Sequence, residues 1–166
     1  MRSVLAVIFS LVASSSLHAS DAEPRLCDTH KLPNEIQSQL SRDFTNWKVQ
    51  SPENLSQQAK SSWSGRKNPA CPGIATGFFR QPSQSSFALL LVPSDHPDAA
   101  YRIVVFNPQP ASSDFEELVV ETSDMHGASN FYVQKVAVST FFDDRSQKKF
   151  EIQAADAILM VDSAEN

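Results

Sequence analysis

Glycine is scarce in this chain, with only 4 among 166 residues. Phosphate-binding loops and dinucleotide fingerprints need several glycines at fixed spacing, because a side chain would keep the backbone away from the phosphate. No such motif occurs, and the Gly-x-Ser-x-Gly turn of serine hydrolases is also missing. The sequence therefore gives no support to a nucleotide-dependent enzyme or a serine hydrolase.

Potential metal ligands are also few, with 4 histidines and 2 cysteines. Cys27-Asp28-Thr29-His30 has the spacing of half a zinc site, but no second pair of this kind follows. His96 and His126 lie in sequences typical of turns, and Asp143-Asp144 lacks the spacing of a calcium loop. We therefore expect no metal ion and no other cofactor.

A basic surface is not evident either, since 14 lysines and arginines stand against 19 acidic residues and the net charge is −5. The densest basic groups are Arg66-Lys67 and Arg145 with Lys148-Lys149. Attraction to the phosphates of nucleic acids requires a continuous basic face. We therefore expect no nucleic-acid partner.

No apolar run has the ~20 residues that a transmembrane helix needs. The apolar stretch from Val4 to Ala13 follows Met1-Arg2 and precedes a small, polar segment, which is typical of a secretory signal peptide. We predict cleavage after Ala19, with Ala22 as the alternative. The predicted organisation is a signal peptide over 1–19, an N-terminal arm over 20–32 and one domain over 33–166, in a periplasmic or secreted protein without a membrane anchor.

Cys27 and Cys71 both lie in the part predicted to be exported. In an oxidising compartment such a pair favours one disulfide, which would stabilise the fold by on the order of 3–4 kcal/mol for this loop length. A free or intermolecular thiol and a catalytic thiol at Cys71 are the alternatives. A catalytic cysteine usually lies at the start of a helix, whereas Pro72-Gly73 and a predicted strand follow Cys71.

Two short amphipathic helices are predicted at the start of the domain. The first begins near Asn34, where Asn34 and Gln37 have the form of a capping box, and it has a stripe of Ile36, Leu40 and Phe44. The second begins at Ser51-Pro52-Glu53, has a stripe of Leu55, Ala59 and Trp63, and ends at Ser64-Gly65. Trp63 on such a stripe is predicted to be a core residue rather than a ligand-stacking one.

From Ile74 onward the pattern is that of strands separated by turns. The predicted strands are Ile74 to Phe79, Phe87 to Val92, Tyr101 to Phe106, Phe115 to Glu121, Phe131 to Val138, Lys148 to Ile152 and Ala157 to Val161. Leu89-Leu90-Leu91-Val92 shows no alternation, so it predicts a central strand covered on both faces. Gly77 within the first of these strands indicates a bulge or a close approach of another backbone. The expected fold is α+β, with two short N-terminal helices packed on a mainly antiparallel meander of about six to seven strands.

The sequence Cys71-Pro72-Gly73-Ile74-Ala75-Thr76-Gly77-Phe78-Phe79, together with Phe87-Ala88-Leu89-Leu90-Leu91 and the preceding Trp-containing helical start, resembles a group of small exported bacterial proteins of unassigned function. The resemblance covers roughly residues 32–92. It implies a bacterial envelope or extracellular setting and brings no catalytic residue with it. The turn from Arg80 to Ser85 lacks the Asp and Gly of such proteins, so no cation site is inferred there, and a Tyr/Trp-containing segment after the last strand is missing.

The leading functional hypothesis is a non-enzymatic binding module of the inhibitor or immunity type. Its partner would be another envelope or secreted protein or an envelope component. The alternative is an envelope hydrolase or metal-dependent enzyme that uses Cys71 or the histidine and aspartate residues. No catalytic residue is assigned, the oligomeric state is not predicted, and the surface loops are the expected place of the binding site.

Overall fold

The computed structural model describes residues 27–110, 112–137, 140–143, 148–151 and 156–163. The predicted signal peptide and the first part of the N-terminal arm lie outside these residues. Among the helices of the described residues, none is long and apolar enough to cross a membrane.

Two α-helices near the N-terminus and a series of antiparallel strands confirm the predicted α+β class. The helices are α1 (Asn34–Asp43) and α2 (Gln57–Ser64). The strands are β1 (Trp47–Val49), β2 (Ile74–Gln81), β3 (Gln84–Pro93), β4 (Tyr101–Pro108), β5 (Phe115–Ser123), β6 (Phe131–Ala137), β7 (Thr140–Asp143), β8 (Lys148–Glu151) and β9 (Asp156–Asp162).

The central sheet is a meander of β2, β3, β4 and β5, in which each strand pairs with the next along the chain. Strand β1 joins the same edge of β3 as β2, because β3 is long enough to hold both, with β1 at its C-terminal end. Strand β6 pairs with β9, and β7 pairs with β8, as two separate antiparallel pairs. Strands β1 and β7 were not predicted as strands, since three or four residues are too few to show a strand period.

Strand β3 is buried on both faces, as its unbroken apolar sequence predicts. Leu89 and Leu91 belong to the cluster that packs against α1. Leu90 and Val92 belong to the cluster on the other face, which includes Val133 of β6. The sheet therefore lies between α1 and the β6–β9 pair, and β3 is its centre.

The N-terminus of α1 is built differently from the predicted capping box. Pro33 is the N-cap and makes no side-chain hydrogen bond, so the predicted cap role of Asn34 is wrong. The side chain of Gln37 still reaches backward, and its Nε2 donates to the carbonyl of Leu32 at 2.7 Å. The predicted stripe packs on the core as expected, with Ile36 fully buried.

The second helix begins later than predicted. Pro52–Asn54 forms a short 3₁₀ helix, and α2 starts only at Gln57, where the Ser56 hydroxyl accepts a hydrogen bond from Ala59 N–H at 3.3 Å. The backbone of Leu55 between the two is extended, so the apolar stripe continues across a break in the helix. The stripe is buried as predicted, and Trp63 is a core residue whose indole N–H donates to the Ala70 carbonyl at 2.8 Å.

The predicted disulfide joins Cys27 to Cys71, with their Cα atoms 4.9 Å apart. Directly after it, Gly73 lies so close to β1 that a Cβ atom would be 2.4 Å from the Gln50 carbonyl oxygen. Gln50 N–H donates to the Leu90 carbonyl at 2.8 Å, and Leu90 N–H donates to the Gly73 carbonyl at 2.9 Å. These contacts hold the ends of β1 and β2 side by side on β3. We call Cys71, Pro72 and Gly73 the corner.

Gly77 marks an irregularity in β2, as predicted. The pairing of β2 with β3 shifts in register between Gly77 and Gln81. A Cβ atom on Gly77 would lie 2.9 Å from Lys135 Cδ and 3.0 Å from Asp156 Oδ2. The nearest atom is Cε1 of Phe79 in the same strand, at 2.7 Å, so the close approach comes from side chains of β2, β6 and β9. Asp156 accepts a hydrogen bond from Phe78 N–H there at 2.9 Å.

Removing the disulfide should lower the stability of the domain strongly. We expect the Cys27→Ser/Cys71→Ser variant to lose on the order of 3–4 kcal/mol in the free energy of unfolding, since the bond closes a loop with a sequence separation of 44 residues. Urea denaturation measures this loss. Reductant should lower the stability of the wild type and leave that of the variant unchanged. A loss smaller than about 1 kcal/mol would contradict the structural role.

The hydroxyl of Tyr101 should make stability depend on alkaline pH. Burial and a 2.8 Å hydrogen bond to Glu121 raise the pKa of Tyr101 to about 12 from an ordinary value of 10.0. The folded state then holds this proton more tightly than the unfolded state, so its contribution is complete below pH 10 and is lost as the pH rises towards 12. Denaturation at a series of pH values should show a decline of on the order of 1–3 kcal/mol that Tyr101→Phe removes. An identical decline in that variant would assign the effect to other groups.

Candidate functional site

A cleft of about 640 Å³ lies beside the corner. Its walls are the arm around Asp28 to Leu32, the loop 66–70 after α2, the first half of β2, and residues 133–135 of β6. We call it the corner cleft. It is enclosed by segments far apart in sequence, and the Cys27–Cys71 bond fixes one wall against the sheet.

The floor of the corner cleft is apolar. Ile74 and Phe87 are half-buried on neighbouring strands, while Leu32 and Val133 are buried and border the cleft from the arm and from β6. Phe87 is held in place by an edge-on contact with Phe115, whose ring centre lies 6.0 Å away. An apolar floor of this kind can bury the hydrophobic part of a ligand.

The rim of the corner cleft is cationic, with Lys31, Arg66, Lys67 and Lys135 around its mouth. Arg66 stacks over the Tyr132 ring at 5.4 Å, and Lys135 Nζ lies 3.9 Å from Asp156 Oδ2. Within the described part of the chain, Lys31 and Lys67 form no ion pair.

One carboxylate, that of Asp28, also lines the cleft, and its Oδ1 accepts a hydrogen bond from His30 N–H at 3.0 Å. The rim is therefore positive on a chain whose net charge is −5. This local excess of positive charge favours an anionic ligand.

The loop 66–70 that carries two of the cations is shaped by its own backbone. Asn68 has φ of 56°, which is the left-handed region that asparagine tolerates better than most residues. Arg66 N–H donates to the Trp63 carbonyl at 3.4 Å, and the Trp63 indole holds the Ala70 carbonyl at the other end of the loop. The cations are thus presented from a loop tied at both ends to a buried tryptophan.

Two residues that line the cleft, Gln134 and Thr76, carry polar groups that bear on ligand binding. The side-chain oxygen of Gln134 is buried and has no hydrogen-bond partner within the described residues. Thr76 is exposed on β2, and its backbone points away from β3, because Leu90 N–H bonds to Gly73 and antiparallel pairs alternate along the strand. On this other edge Val133 N–H donates to the Pro72 carbonyl at 2.8 Å and Phe78 N–H donates to Asp156, so Thr76 lies between two occupied positions, where it lines the cleft.

The chemical candidates from the sequence are not brought together. The sulfur of Cys71 is bonded to Cys27, and His30, His96 and His126 are exposed in three separate segments. Asp143 ends β7, and Asp144 lies outside the described residues. No group of three or more histidine, cysteine, aspartate or glutamate side chains that could hold a metal ion occurs in the described ranges.

The corner cleft was not predicted from the sequence, because the binding site was expected in the surface loops. The available signal was the basic pair Arg66-Lys67 between a predicted core tryptophan and Cys71, which is one wall of the cleft. Lys31 and Lys135 lie far from that pair in sequence, so the cluster of four cations is formed only by folding.

Comparison of the chain with models of known families, with curated proteins and with solved structures finds no match.

The unpartnered side-chain oxygen of Gln134 should lower the free energy of unfolding. We expect Gln134→Met, which keeps a similar volume without the amide, to raise the free energy of unfolding by about 1 kcal/mol. The matched control is Gln37→Met, because Gln37 Nε2 donates to the carbonyl of Leu32, and its replacement should lower stability. Both are measured by urea denaturation. A destabilised Gln134→Met would mean that this amide has a structural role.

Proposed function

We propose that the protein is a non-catalytic binding module outside the cytoplasm, and that its corner cleft takes an acidic, partly apolar segment of a partner protein. The observation that carries this proposal is the cationic rim above an apolar floor. Carboxylates of the partner would pair with Lys31, Lys67 and the neighbouring cations, while its apolar side chains would be buried on Ile74 and Phe87. Charge complementarity of this kind selects the partner and accelerates association.

An extended peptide fits the hydrogen-bonding groups of the cleft. The outward backbone groups of Thr76 in β2 can pair with the backbone of one short added strand. The cleft therefore supplies the three things that strand recognition requires, namely a backbone edge, an apolar floor and charges at its mouth.

The rigid construction of the cleft agrees with a protein of the inhibitor or immunity type. The arm that forms one wall is bonded covalently to the corner, and the loop 66–70 is held by Trp63. A preformed site loses less conformational entropy on binding than a flexible one. The disulfide itself is consistent with a location outside the cytoplasm, where thiols are oxidised.

The enzymatic alternative finds less support. A thiol hydrolase would require the Cys71 sulfur that the disulfide occupies, and the cleft contains no histidine. No observation among the described residues favours a particular reaction, so we propose no catalytic role.

Selection from a displayed library of random short peptides tests the proposal. Peptides retained by the wild-type protein should be rich in Asp and Glu alternating with Leu, Val or Phe. The variant Lys31→Glu/Lys67→Glu should bind a selected peptide at least about tenfold more weakly, since two attractions become repulsions. Neither lysine has an ion-pair partner in the described structure, so the fold should be retained.

The matched control is Lys48→Glu/Lys60→Glu, which makes the same change in net charge at exposed positions outside the corner cleft. It should leave binding within about twofold of the wild type. Selected peptides without an excess of acid, or peptides that bind the cleft variant as well as the wild type, would refute the proposal.

A further inference from the structure

Strand β5 (Phe115–Ser123) forms the edge of the central sheet opposite to β2, and in the described structure it pairs only with β4. Gln39 Nε2 donates to the Phe115 carbonyl at 2.9 Å, which shows that this carbonyl points away from β4. Phe115 lies opposite Pro108, which has no N–H to donate to it. Because antiparallel pairs alternate, the backbone groups of Glu117 and Val119 also point outward.

The side chains of this edge are unusually apolar for an exposed strand. Leu118 is 53% exposed, Val119 is 42% exposed and Val120 is 49% exposed, and they are consecutive in the sequence. Natural proteins usually protect an exposed edge with lysine, proline or a covering segment, because free backbone groups pair readily with another strand. No lysine or proline lies within β5. The only irregularity is a register shift at Val119 to Glu121 opposite Ile103 and Val104.

A shallow groove of about 410 Å³ runs along one face of the same edge. Leu118 and Val120 form its outer side, and half-buried Phe79 and Ile158 form its inner side. The groove continues the apolar surface of the edge towards β2 and β9. It can hold alternate side chains of an added strand, which is how strand-binding edges acquire specificity.

The charge of the edge indicates the kind of strand that fits. Residues 114–124 contain five carboxylates and no lysine or arginine, and these are Asp114, Glu116, Glu117, Glu121 and Asp124. Arg80 pairs with Glu116, and Tyr101 donates to Glu121, so the sheet itself compensates part of this charge. Of the other carboxylates, Asp114 and Asp124 are exposed and Glu117 is half-buried. This acidic charge beside an apolar surface favours a partner with basic residues.

A second copy of this chain fits the edge poorly. An antiparallel pair of β5 strands would bring together two segments that each contain five carboxylates and no lysine or arginine. Like charges directly opposite one another destabilise a strand pair. The acidic residues thus act against self-pairing while leaving the edge open to a strand of opposite charge.

We propose that the β5 edge binds a cationic, apolar β-strand of a partner protein by strand addition. This second surface is separate from the corner cleft, lies at the opposite edge of the sheet and has the opposite charge. It does not depend on the function proposed for the cleft.

The test uses a capped peptide of alternating lysine and valine, and its control is the same peptide with glutamate in place of lysine. Each peptide is added to the isotope-labelled protein without the predicted signal peptide, residues 1–19. Amide hydrogen exchange at Glu117 and Val119 should slow by about tenfold or more when the lysine peptide binds, because strand addition closes these outward N–H groups. The lysine peptide should bind about tenfold more tightly than its glutamate analogue. Equal binding of the two peptides, no binding, or protection only at other amides would overturn the proposal.

Two variants separate strand addition from general attraction to an acidic protein. Val119→Pro removes one outward N–H and no hydrogen bond to β4, so it should abolish the protection at Glu117. Glu117→Lys should weaken binding of the lysine peptide about tenfold, whereas Asp95→Lys, with the same charge change in an exposed turn, should not. If Val119→Pro does not fold, the comparison of the two lysine variants still decides. Equal weakening by both would overturn the proposal.

Sedimentation of the free protein tests whether a second copy of the chain covers this edge. We expect its sedimentation coefficient to be independent of protein concentration, with fast exchange at Glu117 and Val119. A concentration-dependent dimer in which these two amides become protected would show that a second copy, rather than a cationic partner strand, covers the edge.

Discussion

The close contact between Gly73 and Gln50 is the constraint on which the rest of the structure depends. With no Cβ atom at Gly73, the ends of β1 and β2 can lie side by side and share one edge of β3. Gln50 is fully buried there, and its Nε2 also donates to the Ala128 carbonyl at 2.7 Å. One buried side chain thus connects β1 to the loop before β6. The disulfide at Cys71 adds the N-terminal arm to the same point.

The two binding surfaces proposed for this arrangement are opposite in character. The corner cleft is a concave surface with a basic rim, and the β5 edge is an open strand with acidic residues. They lie at opposite edges of the sheet, so two partner segments could be held at the same time without contact between them. Because the basic and acidic surfaces offset one another, the net charge of −5 indicates neither of them. The proposed partners of the two surfaces therefore follow from local charge rather than from total charge.

Local patterns predicted the elements well where one sequence run supplies the whole signal. The unbroken apolar run at Leu89 to Val92 indicated a strand covered on both faces, and the spacing of Leu55, Ala59 and Trp63 indicated one buried stripe. The first helix starts at Asn34 as predicted, but its N-cap is Pro33. The second helix starts later than predicted, because several polar residues there can cap and the sequence does not show which one does. At the second helix, Ser56 caps in place of Ser51.

The sequence by itself determined the α+β class and most of the helices and strands, and it favoured one disulfide between its two cysteines, because these depend on short-range periodicity and on a cysteine count that allows one internal pair. Only the tertiary structure decided where the proposed binding surfaces lie. Lys31, Arg66 and Lys135 meet around one cleft because the corner brings their three segments together. Likewise, the apolar triplet at Val119 is visible in the sequence, but its exposure follows from the position of β5 at the end of the sheet. Contacts between distant segments have no local signature, and for that reason the fold was more predictable than the sites.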